Sequence, residues 1–104
     1  MSIRQFRALT AIGEFGSFAA AARDLNITQS AISMQINALE TRLGVRLFDR
    51  NRRPPKLTRA GAITLARAKT IVAQYDDIFD ALAEARPYRG LFQLGAITSV
   101  LTSL

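Results

Sequence analysis

The stretch Asp24–Thr41, DLNITQSAISMQINALET, contains no Lys or Arg, although it sits in a chain of formal net charge +6 and pI about 11.1. Thr28 can cap a helix here. Ile32, Ile36, Leu39 and Leu43 follow at intervals of four, three and four, the spacing of one helical face, and Gly44 offers a stop. Just upstream, Ser17 can cap SFAAAARDL, in which Phe18, Ala21, Ala22 and Leu25 share a face. Asn26 and Ile27 interrupt that pattern, and a connection this short forces the two segments into a tight helix-turn-helix unit.

Working outward, SIRQFRALTAIGEFG predicts another helix, with Ser2 as its N-cap, Ile3, Phe6, Leu9 and Ile12 along one side, and Gly16 at its end. After Gly44, VRLFDRNRRPPKLT is too short and too broken by proline for a helix, and its ends, RLF and KL, can pair as short strands of a basic hairpin. Thr58 then caps a run from about Arg59 to Ala85, on the order of 40 Å long at helical rise. Pro87 and Gly90 stop it, and GLFQLGAITSVLTSL begins as a plausible strand. The expected fold class is mainly α: a winged helix-turn-helix domain over residues 1–58, a long dimerising linker helix over 59–86, and a separate tail over 87–104.

At 104 residues there is room for one small domain plus an appended element. With no Cys and no His, disulfides, thiolate and imidazole metal sites, and Ser-His-Asp or Cys-His catalysis are excluded. We therefore expect no enzyme, no catalytic residues, no metal and no cofactor. No apolar run approaches a membrane span, and MSIRQF leads directly into an amphipathic pattern rather than a signal peptide, so a cytoplasmic, nucleoid-associated protein without membrane contact is expected.

The missing positive charge reappears next door. Arg42, Arg46, Arg50, Arg52, Arg53, Lys56 and Arg59 are seven of the 14 basic residues, and only Asp49 opposes them between positions 42 and 59. A basic wing that attracts phosphate allows the preceding helix to be neutral, because its task is to distinguish base edges once the wing and the helix N-termini have placed it. Gln29, Ser30, Ser33, Met34 and Asn37 lie off the apolar stripe and are the candidate base readers. Arg50, Arg52, Arg53 and Lys56 of the wing, with Ser17 and Thr28 at helix N-termini, are the candidate positioning contacts. Each group taken singly also reads as a solvated surface; their succession at motif spacing favours double-stranded DNA.

Along the long helix, Leu65, Ala68, Val72, Tyr75, Phe79 and Leu82 alternate at three and four, a heptad seam broadened by Ile71 and Ile78, which predicts a partner helix. Asp76, Asp77, Asp80 and Glu84 make its far end acidic, with no basic residue from Thr70 to Ala85, so that end should point away from DNA. An ordinary helix folded back on its own domain is the competing reading of the stripe.

The stretch Gly16–Gly61 resembles the DNA-binding region of the bacterial LysR-type transcriptional regulators. The likeness rests on Gly16-Ser17-Phe18, Ala21 with Ala22, Leu25, Gln29-Ser30-Ala31, Ser33, Ile36, Leu39 with Glu40, Leu43 with Gly44, Leu47-Phe48 before Arg50, and Leu57-Thr58 before Ala60-Gly61. Ala19 and Ala20 stand where that family commonly has Thr-Arg, and Met34 replaces a frequent Arg. The resemblance implies a homodimer on an interrupted promoter dyad, and tetramers and a small-molecule inducer only through an effector domain that this chain lacks. Residues 87–104 resemble the start of that domain, truncated. The rival expectation is an interaction module that forms mixed dimers with a full-length regulator and sequesters it.

Overall fold

The computed structural model describes residues 1–85. Helix α1 (Ile3–Phe15) opens with the Ser2 N–H donating to Gln5 Oε1 at 3.3 Å and closes at Gly16, whose N–H donates to the Ile12 carbonyl at 2.9 Å and whose φ of 90° turns the chain out of the helix. Helix α2 (Phe18–Leu25) is capped by Ser17, whose Oγ accepts from the Ala20 N–H at 3.0 Å. Asn26 ends α2 in the left-handed region, which its short polar side chain tolerates. Helix α3 (Gln29–Leu43) repeats the device: Thr28 Oγ1 accepts from the Ala31 N–H at 3.0 Å, and Gly44 closes the last turn on the Glu40 carbonyl at 2.8 Å.

Strands β1 (Phe48–Asp49) and β2 (Lys56–Leu57) pair antiparallel, Phe48 opposite Leu57 and Asp49 opposite Lys56. Pairing begins later than the RLF stretch predicts because the Leu47 and Phe48 N–H groups both donate to the Glu40 carboxylate, at 2.8 and 3.3 Å. The Arg46 and Leu47 carbonyls go instead to Thr58, accepting from its hydroxyl at 2.6 Å and its N–H at 3.0 Å. That same hydroxyl accepts from the Gly61 N–H at 2.9 Å and so starts α4 (Arg59–Ala85).

The core joins α1, α2 and α3 through Leu9, Ile32, Ile36 and Leu39, with Leu47 beneath the hairpin and Phe48 meeting Phe18 edge to face at 5.0 Å. Leu43, expected on the stripe of α3, is instead exposed, because the stripe turns to solvent where the chain reverses at Gly44. The first turns of α4 also enter this core. Ala68, expected in a dimer seam, is fully buried within its own chain and has no surface left for a partner, and Leu65 packs beside it against the same cluster. Two glycines permit the approach: a Cβ at Gly13 would lie 2.8 Å from Leu65 Cδ2, and one at Gly61 would overlap the Leu47 carbonyl.

Met1–Val72 accordingly forms one compact unit, and Ala73–Ala85, the rest of α4, falls in a second, so the expected boundary at residue 58 is not a boundary in packing. The predicted strand and effector-domain start over 87–104 lie outside the described residues. Among the described residues no helix is long and apolar enough to cross a membrane, and no group of three or more acidic residues could hold a metal ion.

Candidate nucleic-acid interface

Helix α3 has two chemically distinct sides. Ile32, Ile36 and Leu39 are buried; Gln29, Ser30, Met34 and Asn37 are exposed, and Ser33 is half-buried. The exposed side is neutral and carries amide, hydroxyl and thioether groups, the types that pair with base edges or touch a thymine methyl. Ser17 and Thr28 serve first as caps, each with its hydroxyl oxygen already accepting a backbone N–H, which leaves the hydroxyl proton to donate outward.

Ser17, Phe18 and Ala19 at the start of α2, Gln29 and Ser33 on α3, and Arg50, Pro54 and Pro55 of the hairpin line one concave groove of about 350 Å³. Four of the expected contact residues, Ser17, Gln29, Ser33 and Arg50, thus meet across three elements. Arg52, Arg53 and Lys56 are exposed along the hairpin, whose turn is shaped in part by Asp49 Oδ1 accepting from the Asn51 N–H at 3.0 Å. Met34 and Asn37 lie outside the groove lining, on the exposed side of α3.

Sequence reasoning missed the residue that holds this arrangement together. Glu40 is only 6% exposed, and its carboxylate binds the hairpin to α3: Oε2 takes the Leu47 and Phe48 N–H groups, and Oε1 faces Arg46 at 3.4 Å and Arg50 at 3.2 Å. The available signal was its position four residues after Ile36, on the apolar stripe, where a carboxylate needs buried donors. Arg50 is therefore not a free wing cation. Its guanidinium bridges Glu40 and Asn37, whose Oδ1 it reaches at 2.8 Å.

Of the residues expected in the dimer seam, Ile71, Tyr75, Ile78, Phe79 and Leu82 are exposed and Val72 is half-buried. Tyr75 and Phe79 meet edge to face at 5.6 Å.

A helix-turn-helix whose second helix exposes a neutral polar side, followed by a two-stranded basic hairpin, is the winged helix-turn-helix class of DNA-binding domain. Residues 3–62 match the bacterial regulatory helix-turn-helix proteins of the lysR family, and the chain belongs to that family. A probable RuBisCO transcriptional regulator of Cyanophora paradoxa is 42% identical over 89 residues, 86% of this chain; the chain spans 28% of that relative's length. The DNA-binding domain of CbnR, solved in complex with DNA, is 39% identical with a TM-score of 0.73, covering 83% of this chain and 100% of the other. The corresponding domain of BenM on its benA site 1 DNA gives 32% and 0.76 over the same shares.

Proposed function

We propose that this chain binds double-stranded promoter DNA sequence-specifically, as the reading domain of a LysR-type transcriptional regulator acting in the cytoplasm. Helix α3 enters the major groove and distinguishes bases through Gln29, Ser30, Ser33, Met34 and Asn37, while Arg52, Arg53 and Lys56 hold the phosphate backbone. The observation that carries this reading is the groove in which Gln29 and Ser33 of α3 meet the start of α2 and the loop of the basic hairpin. The relatives solved on DNA support it.

The exposed Ile71, Tyr75, Ile78, Phe79 and Leu82 support a homodimer, which would present two α3 helices to half-sites about one helical turn, or a multiple, apart. In a longer parent, an effector domain would add inducer response and tetramer assembly. The same exposed residues support a second reading, pairing with a longer family member and sequestering it; dimer exchange without specific duplex affinity would favour that one.

The test is affinity against salt on a matched and a single-mismatch duplex. Arg53→Ala is expected to weaken all sequences alike and to lower the salt slope by about one, the loss of roughly one phosphate contact. Gln29→Ala is expected to leave the slope unchanged and to cost about 1–3 kcal/mol of discrimination at one base pair of each half-site. If Gln29→Ala proved indifferent to sequence and Arg53→Ala altered base preference, specificity would have to come from wing insertion and groove shape instead.

A further inference from the structure

Asn37 carries a side-chain amide whose direction is dictated by its neighbour. Its Oδ1 accepts from Arg50 Nη1 at 2.8 Å, and Arg50 Nη2 donates to Glu40 Oε1 at 3.2 Å. A guanidinium has donors only, so the amide must turn its oxygen toward Arg50, which leaves the NH2 as the group offered on the exposed side of α3. Arg50 is held in turn by Glu40, whose other oxygen is fixed by two backbone N–H groups.

We propose that this relay sets the hydrogen-bond polarity of the reading helix: Asn37 meets the base edge as a donor and selects an acceptor, guanine O6/N7 foremost, with Arg50 and Glu40 as positioning residues. This rests on the reading that the exposed side of α3 faces the major groove. Asparagine ordinarily suits adenine, but that bidentate pairing needs Oδ1 to accept from adenine N6 while the NH2 donates to N7. Arg50 takes one of the two lone pairs of Oδ1 and holds the oxygen on its own side, so the NH2 is the group left facing outward, and the guanine edge, which presents acceptors only, is the better match.

The test measures affinity on duplexes carrying each of the four base pairs at every half-site position. Asn37→Ala is expected to flatten preference at one position, where the unaltered chain favours guanine. Asn37→Asp keeps an oxygen for Arg50 but replaces the outward donor by an acceptor, so preference there should move to cytosine, whose N4 donates, by about tenfold. Arg50→Met frees Oδ1 and should move the same position toward adenine. Preference for adenine in the unaltered chain, or equal loss on all four base pairs for Asn37→Asp, overturns the proposal. So does a lower salt slope for Arg50→Met with unchanged base preference, which would make Arg50 a phosphate contact. Asn37 is exposed, so its variants decide the matter even if Arg50→Met fails to fold. If Gln29→Ala still alters its own base pair while the Asn37 variants alter none, this inference falls and the reading by α3 stands; if neither alters any, both fall.

Discussion

Glu40→Ala should loosen the hairpin from α3, and the size of the effect can be worked from its four partners. The substitution leaves the N–H groups of Leu47 and Phe48 without an acceptor in residues that are 0% and 4% exposed. Each unsatisfied buried donor costs about 1–3 kcal/mol. The ion pair to Arg46, whose side chain is 73% exposed, contributes little, and that to Arg50, at 35%, is discounted for solvent screening. A net loss of about 3 kcal/mol follows, which for a domain of this size lowers Tm on the order of 15 °C. Glu40→Gln retains one carbonyl oxygen for the backbone donors and should cost about a third as much, since it loses mainly the charge-assisted part of the contact. Urea unfolding at one fixed protein concentration, with the slope compared across variants, is the assay, because association shifts apparent stability. A loss below about 1 kcal/mol for Glu40→Ala, or equal losses for Ala and Gln, would refute the assignment of stability to the two buried N–H groups.

Gly61→Ala should destabilise by at least about 3 kcal/mol, since its Cβ would overlap the Leu47 carbonyl, whereas Gly13→Ala meets only the tip of the Leu65 side chain and should cost less; thermal melts of the two order them. Thr28→Ala removes the cap bond to the Ala31 N–H and should lose about 1 kcal/mol in denaturant unfolding, with Thr28→Ser restoring most of it. Phe79→Asp places a charge at a residue that is 60% exposed within the chain, so it should leave the melting of the winged unit intact and shift the mass by light scattering from dimer to monomer at micromolar concentration; an unchanged mass would remove Phe79 from the interface.

The helices were legible because their boundaries are local: Ser17 and Thr28 act on N–H groups three residues away, and Gly16 and Gly44 reverse the chain by their own backbone freedom. Glu40 was not, since its partners lie six to ten residues on, across a reversal that no periodicity encodes. The stripe on α4 was found but divided wrongly. A heptad pattern reports an apolar face without saying whose core covers it, and Ala68 is covered by its own chain. The pairing of Arg50 with Glu40 was hidden for a related reason: a basic residue in a basic run looks solvated until its carboxylate is found.

The two sides of α3 have a consequence for how such a protein changes its targets. Gln29, Ser30 and Met34 are exposed on the side away from Ile32, Ile36 and Leu39. Replacing them should alter stability by only about 0.5 kcal/mol or less, so binding-site preference can drift one base pair at a time without compensating changes elsewhere. Position 37 is less free: its side chain is hydrogen-bonded to Arg50, which pairs with the carboxylate that holds the hairpin, so a substitution there also changes the partners of Arg50, and the base pair beneath it should diverge more slowly than those beneath Gln29, Ser30 and Met34 among descendants of this chain.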